Sequence, residues 1–247
     1  MSTLKVAISG ARGRMGKTLV ALAPEENARV LRELDMGDDL TGAAEGCDAV
    51  IDFSAHAATP LLAESCADAG IPLIIGTTGH SETERKSILE ATALIPIVWA
   101  GNYSVGVNLL LHLAETAGKV LADRYDAEIT EVHHRHKKDA PSGTALALAR
   151  ALQAAPSLAE AGLRNGREGE TGERSGSEIG VHALRGGEVI GEHTVFFFGE
   201  HDRIELTHRA ADRRIFASGA FRAAHWASGQ EPGLYDMRDV LSLRSST

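Results

Sequence analysis

An apolar run, a set of evenly spaced glycines and an amphipathic stretch follow one another at the start of the chain, and this order restricts the fold more than any other feature. Leu4-Lys5-Val6-Ala7-Ile8-Ser9 predicts a buried strand and Met15 to Ala23 a helix, with Gly10-Ala11-Arg12-Gly13-Arg14-Met15-Gly16 directly at the junction. The alternation continues. Strands are expected over Arg29 to Asp35, Ala49 to Phe53, Leu73 to Ile75 and Ile97 to Ala100, and helices over Ala57 to Ala69 and Glu82 to Ala93. Strands separated by helices of roughly 10–15 residues pair in parallel through βαβ crossovers. The N-terminal part of the chain therefore predicts an α/β fold with a doubly wound parallel sheet.

The G-x-x-G-x-x-G spacing is a variant of the dinucleotide fingerprint. A residue without Cβ lets the backbone approach a pyrophosphate, and the start of the following helix offers free N–H groups to it. The fingerprint also asks for a carboxylate about 20 residues on, at the end of the second strand, to hold ribose hydroxyls. Asp35 occupies that position. A carboxylate repels the 2′-phosphate of NADPH, and the neighbouring Met36 is no base, so NADH is favoured. Arg12 and Arg14 can still reach a phosphate, which keeps NADPH open. Gly76-Thr77-Thr78-Gly79 and Gly101-Asn102-Tyr103-Ser104 each follow a strand, where an open α/β sheet places its ligands. Turn chemistry accounts for either loop alone; in register with the glycine loop, the two are better read as walls of a binding crevice.

The rhythm changes after Gly101. Val105 to Leu121 predicts a helix with Leu109, Leu110 and Leu113 on one face. Beyond it, Ile179 to Leu184, Val189 to Phe198 and Arg203 to His208 alternate apolar and polar residues, with Arg185-Gly186-Gly187-Glu188 as a turn between the first two. Such alternation predicts a second, largely antiparallel sheet with one polar face. The stretch between Ala155 and Ser177, dense in Gly, Glu and Arg, reads as a mobile loop. Arg213 to Trp226 is again helical in pattern.

With 247 residues the chain suits one large domain or two modest ones, and it can bury a core without disulfides. A balance of 25 Lys+Arg against 34 Asp+Glu, net −9, argues against nucleic acid and anionic lipid as partners. No apolar run approaches the ~18 residues of a spanning helix. With Cys47 and Cys66 as its two cysteines, and no cleavage signature at the N-terminus, a cytoplasmic protein with reduced thiols is expected.

Against this acidic background stands His133-His134-Arg135-His136-Lys137-Lys138, whose charge predicts an anionic ligand. The histidines invite a metal reading. On a strand, however, His134 and His136 would share a face opposite His133, and no nearby cysteine or carboxylate set completes a site, so no metal is expected. A solvated charged face is the plain alternative. Pro141-Ser142-Gly143-Thr144 speaks against it, because it opens an apolar helix over Ala145 to Gln153, and such a helix start binds anions. A dicarboxylate can then set one carboxylate at these amides and the other near His134 or Lys137, with His133 as the candidate proton donor. His182, His193, His201 and His208 are dispersed and read as structural. A nicotinamide site combined with an acid-bearing anion site means reduction of a small carboxylated substrate. The rival readings are a nucleotide-sensing binding protein without chemistry and a dehydrogenase of another small carboxylate, such as aspartate.

At these residues the chain also resembles a known family, the 4-hydroxy-tetrahydrodipicolinate reductases (dihydrodipicolinate reductases) of bacterial lysine and diaminopimelate biosynthesis. The resemblance rests on Val6 to Gly10 with Gly13-Arg14-Met15-Gly16, on Ile51-Asp52-Phe53-Ser54, on Gly76 to Gly79 and on Asn102 to Asn108. It extends over Glu131 to Thr144 and Gly233 to Leu241, and so runs through nearly the whole chain. It implies a homotetramer acting on a small dicarboxylate heterocycle. Each subunit would pair a Rossmann-like domain, residues 1–104 and 213–247, with an α+β, mixed-sheet domain for substrate binding and tetramerisation, residues 105–212. His133 matches the general acid of the family and Lys137 the second catalytic residue, a donor to the ring. His134, Ser142, Gly143 and Thr144 match contacts to substrate carboxylates. Gly10, Arg12, Gly13, Arg14, Met15, Gly16, Asp35 and Phe53 fall to the cofactor, NADH and/or NADPH. So do Gly76, Thr77 and Thr78, and Ala100, Gly101, Asn102 and Tyr103. One departure is visible: the connection from Met36 to Cys47 is shorter than in many members and lacks the Arg beside the acidic residue, which leans the cofactor toward NADH.

Overall fold

The computed structural model describes residues 2–244. The element order is β1 (Leu4–Ser9), α1 (Arg14–Leu22), β2 (Ala28–Leu34), β3 (Ala49–Asp52), α2 (Thr59–Ala69), β4 (Leu73–Ile75), α3 (Glu82–Ala91), β5 (Pro96–Trp99) and α4 (Val105–Leu121). It continues with β6 (Asp126–His133), α5 (Gly143–Leu152), β7 (Gly162–Arg164), β8 (Glu178–Arg185), β9 (Gly191–Phe198), β10 (Arg203–Ala210), α6 (Arg214–Ala227), β11 (Gly233–Tyr235) and α7 (Met237–Val240). These elements form two compact units, residues 1–105 with 213–247, and residues 106–212. The ends of the first domain expected from sequence, residues 1 and 245–247, lie outside the described residues.

The first unit carries a six-stranded sheet in the order β11-β5-β4-β3-β1-β2, with every pair parallel. Side chains alternate across a strand, and here the alternation sorts residues between two cores. Val6, Ile8, Ile51, Ile74 and Val98 meet Leu19 of α1 and Ala220 of α6 on one face. Ala7, Val50, Leu73, Ile75 and Ile97 meet Leu62 of α2 and Ile88 of α3 on the other. Both faces are covered, which is why these strands read as unbroken apolar runs. This is the doubly wound, Rossmann-like arrangement. Strand order reverses at β1, with β2 on one side and β3 on the other, so the switch point lies beyond the ends of β1 and β3. Helix α6 approaches through small residues: a Cβ on Gly219 would lie 1.8 Å from the Tyr103 carbonyl oxygen.

The second unit holds a five-stranded sheet in the order β10-β9-β6-β8-β7. β6 and β7 pair with β8 in parallel, while β9 pairs with β6 and β10 antiparallel. The sheet is thus mixed, and the expectation of a largely antiparallel one is corrected. The Arg185 to Glu188 turn joins β8 to β9, yet these strands never pair, because β6 runs between them. Period-two alternation reports which face a side chain takes and nothing about the partner strand. Leu110 of α4 and Leu148 and Leu152 of α5 pack on Ile129, Val181, Val195 and Phe197. The stretch expected as a mobile loop contains β7 and is fastened by Arg167, which reaches Glu128 at 2.7 Å, and by Arg174, which reaches it at 2.9 Å. Among the described residues no helix is long and apolar enough to cross a membrane.

Candidate active site

In the first unit the loops after β1, β3 and β4 crowd together because side chains are missing. Gly10 has φ +79°, and a Cβ on it would lie 2.3 Å from the Phe53 carbonyl oxygen. A Cβ on Gly16 would lie 2.1 Å from the Gly10 carbonyl oxygen, and one on Gly76 would lie 2.3 Å from the Phe53 ring. Gly13 is the N-cap of α1 and provides no side-chain cap, so the amides of the first turn keep their capacity for an outside acceptor. Arg14 and Met15 begin that helix, and Met15 leans on the core. Together these features fit a dinucleotide: the backbone is bare at the switch point, and the helix start is open.

Asp35 lies just past β2. Its carboxylate accepts the Arg12 N–H at 2.7 Å and the Met36 N–H at 2.8 Å. The bonds from Met36 and Arg12 hold its carboxyl below the usual carboxylate range. The Asp35 N–H in turn donates to Asp38 at 2.8 Å, and the Arg12 guanidinium stands 4.0 Å from the Asp38 carboxylate. The β2 tip is therefore acidic, with the exposed Arg12 guanidinium beside it.

Gly10, Phe53, Gly76 and Tyr103 come together, with the Phe53 and Tyr103 rings 5.7 Å apart. Tyr103 is buried, and its hydroxyl is engaged with the carbonyls of Ile75 at 2.9 Å and Val98 at 2.8 Å. Its side chain therefore props the loop from inside. Thr77 is also buried and accepts the Ser54 N–H at 2.9 Å, while Thr78 and Gly101 are exposed and Ala100 and Asn102 half-buried. Asn102 accepts the Ser104 N–H at 2.9 Å. Sequence reasoning assigned no role to Asp52, a fully buried carboxylate at the end of β3. It accepts the Thr59 hydroxyl at 2.7 Å and the Ser54 N–H at 3.0 Å, and burial pushes its carboxyl up.

In the second unit the strand ends at His133, and His134 to Lys138 turn away from it. The opposition of His133 to His134 and His136 on one strand is thereby corrected. Glu131, on the same inward face as His133, is wholly buried. Its Oε2 accepts the His133 Nδ1–H at 2.5 Å and the Arg185 Nη1 at 2.8 Å, and its Oε1 accepts the Ser142 N–H at 3.0 Å and the Arg185 Nη2 at 2.8 Å. Burial opposes ionisation of Glu131, but Arg185 and His133 outweigh it and keep the carboxyl below its ordinary range. Ser142 caps α5, its hydroxyl oxygen accepting the Ala145 N–H at 3.1 Å, with Gly143 and Thr144 as the first helical residues. His193 Nε2 lies 3.2 Å from the same hydroxyl, and its ring meets that of His133 edge-on at 5.1 Å. Burial, then the charge of His133, pushes His193 down to about 4, so it is neutral near pH 7.

His133 itself is lowered by burial, against which the Glu131 bond pulls upward. Lys137 Nζ is 3.0 Å from Asp139 Oδ1, and the Lys137 N–H donates to the His134 carbonyl at 3.1 Å. The His134 Nδ1 is buried without a hydrogen-bond partner. His136 points to exposed Glu188, at 3.5 Å, and stays outside the cluster. Sequence reasoning missed Glu131, Arg185 and His193. The available signal was a carboxylate and an imidazole following Ala127 and Ile129 on one face of the strand, at Glu131 and His133. Among the described residues no group of three or more His, Cys, Asp or Glu is placed to hold a metal ion.

The family model for the N-terminus of dihydrodipicolinate reductase matches residues 4–103, and that for its C-terminus matches residues 106–241. The chain belongs to the dihydrodipicolinate reductase family. A 4-hydroxy-tetrahydrodipicolinate reductase of Akkermansia muciniphila is 50% identical over 243 residues, covering 97% of this chain and 98% of the relative. That of Thiobacillus denitrificans is 46% identical over 266 residues, covering 98% and 100%. Among solved structures, a dipicolinate-bound dihydrodipicolinate reductase from Paenisporosarcina sp. TG-14 aligns with TM-score 0.76 at 25% identity, over 96% of this chain and 98% of that one. The N-terminal match lies within the first compact unit, while the C-terminal match covers the second unit and continues into α6, β11 and α7 of the first. A Rossmann-like reductase fold implies a nicotinamide cofactor, which the bare loops of the first unit suit.

Proposed function

We propose that this chain reduces 4-hydroxy-tetrahydrodipicolinate, by way of dihydrodipicolinate, to tetrahydrodipicolinate in lysine and diaminopimelate biosynthesis. The observation that carries the reading, within a chain of this family, is that His133 and the N-cap of α5 hang on a single buried carboxylate. A proton donor and an anion-binding helix start are thereby held side by side. When bound, the reduced nicotinamide supplies a hydride to C4 of the unsaturated ring formed by loss of water from the 4-hydroxy substrate. The electron pair is taken up as an enamine, and a proton delivered with the help of His133 completes the reduced ring. Lys137 and the helix start at Ser142, Gly143 and Thr144 anchor a carboxylate and offset developing negative charge, with His134 as a further carboxylate contact. Before substrate arrives Asp139 holds the Lys137 ammonium, so a substrate carboxylate competes for it.

We assign residues 1–104 and 213–247 to dinucleotide binding and residues 105–212 to substrate and assembly. Gly10, Gly13 and Gly16 admit the pyrophosphate, with Arg12, Arg14 and Met15 beside it. Asp35 takes ribose hydroxyls on the lone pairs left by its backbone bonds. Phe53, Gly76, Thr77, Thr78, Ala100, Gly101, Asn102 and Tyr103 shape the nicotinamide and ribose end, Tyr103 from beneath. Asp38 beside Asp35, and the exposed Met36 where a base would stand, support NADH over NADPH. Leu184, Phe196 and Phe198 share the sheet face that α4 and α5 leave open, with the two phenyl rings stacked at 5.5 Å. That face supports association into a homotetramer. The free, buried thiols of Cys47 and Cys66 support a cytoplasmic enzyme.

The test is nicotinamide absorbance with freshly condensed pyruvate and aspartate semialdehyde, run beside L-aspartate with the oxidised cofactor. Oxidation of the reduced cofactor by the condensed substrate is expected. Turnover with L-aspartate alone would overturn the reading.

A further inference from the structure

The Glu131 carboxylate makes four contacts, and all are to the protein. His133 and Arg185 occupy Oε2, and Ser142 and Arg185 occupy Oε1. A carboxylate has about four acceptor directions, so none remains for a ligand, and Glu131 can act only through the groups it holds. We propose that Glu131 is the positioning residue of the proton donor: it fixes His133 with hydrogen on Nδ1, leaves Nε2 to carry the transferred proton, and ties that ring to the N-cap of the anion-binding helix. The inference rests on the reading of His133 as the proton donor.

A charged carboxylate on Nδ1 accepts a hydrogen and offers none, so the ring must present Nε2 outward. Arg185 makes that assignment firm. Its two Nη groups chelate Glu131 from β8, the strand paired with β6 at His133 and Arg185, so Glu131 stays ionised although it is wholly buried. The charged and titratable groups facing His133 are Glu131 from its own strand, Arg185 from β8, His193 from β9 and Lys137 from the following turn. Lys137 and Arg185 work against a protonated ring, burial does the same, and neutral His193 adds no charge of its own. Glu131 is the one group of this set that favours the proton.

The test compares Glu131→Gln with His133→Gln in the full-length protein. Glu131→Gln should lower kcat on the order of 10²–10⁴-fold, the range that a positioned proton-transfer group contributes. KM for cofactor should stay within about threefold, since the cofactor loops are elsewhere in the chain. Loss of the carboxylate removes support for the protonated ring, so the alkaline fall of kcat should move to lower pH by about one pH unit. A folded Glu131→Gln protein with the wild-type pH profile overturns the role of Glu131, whatever its rate, because a purely structural defect scales the profile without moving it. Wild-type turnover in His133→Gln overturns the parent reading instead. Should Glu131→Gln fail to fold, the ring nitrogens of isotopically labelled histidine in the wild-type enzyme decide by NMR: a neutral His133 with hydrogen on Nδ1 supports the proposal, and hydrogen on Nε2 contradicts it.

Discussion

Around Gly10, Gly16 and Gly76 the chain makes room for a ligand by leaving side chains out, whereas around His133 it prepares for one by packing charged side chains in. The first region depends on backbone geometry and carries no titratable group at its tightest points, where a Cβ would lie 2.1–2.3 Å from its neighbours. The second depends on ionisation: a buried carboxylate, a guanidinium and two imidazoles whose charge states are mutually set. The contrast teaches that one region should answer to volume and the other to charge and pH.

The largest effect expected to sharpen this contrast is chemical. Lys137→Ala and His133→Gln should each lower kcat on the order of 10²–10³-fold with folding intact and with the cofactor dissociation constant unchanged. Fluorescence titration of the cofactor beside steady-state kinetics checks it, and a matching loss of cofactor affinity would erase the distinction between the regions. Next comes Gly16→Ala, a change of one methyl group. Its Cβ meets the backbone of Gly10 and Ala11, which cannot step aside as a flexible side chain does, so a destabilisation of about 1–3 kcal/mol or more is expected. A lowered Tm together with at least tenfold weaker cofactor binding is the outcome to look for; unaltered affinity would break the backbone account of that loop.

A loss of comparable size on acidification comes from the second region. Burial keeps His193 neutral in the folded protein down to about 4, well below the ordinary range of histidine. Stability from this group is therefore complete above about pH 6.5 and is lost as pH falls toward 4, because the unfolded chain takes the proton first. A loss of roughly 2–4 kcal/mol over that window follows, and His193→Gln should flatten it. Hydrogen exchange near pH 5 should accordingly weaken protection in β6 and β9 while β1 and α1 hold. Uniform loss in both units would contradict the contrast. The smallest effect concerns cofactor choice: Met36→Arg with Asp35→Ser should move the NADH to NADPH ratio of kcat/KM toward NADPH by about tenfold, or about 1.4 kcal/mol.

The same contrast explains what could be read in the sequence. The parallel sheet was legible because apolar runs alternating with helices admit few architectures, and the glycine loop because its constraint lies within a few consecutive residues. The second sheet was legible as strands and not as pairings, since alternation along Ile179 to Leu184 is the same whether a neighbour is parallel or antiparallel. β11, three residues with Leu234 half exposed, offers too little pattern to stand out. The His133 cluster was legible only where it is local. His133, Ser142 and the helix start lie within one segment, but the role of Glu131 shows only once Arg185 and His193 arrive from β8 and β9, and no spacing rule connects those two to His133. Of the histidines expected to be dispersed and structural, His193 meets the His133 ring and the Ser142 cap.

The central claim, that the reaction takes its hydride from a nicotinamide cofactor and its proton from a separate source, is tested most directly by isotope tracing. With reduced cofactor deuterated at the transferring position of the nicotinamide C4, in ordinary water, the tetrahydrodipicolinate product should carry one deuterium at ring C4. With unlabelled cofactor in deuterated water, the label should appear instead at the carbon that takes the proton. Product free of cofactor-derived deuterium would contradict the account.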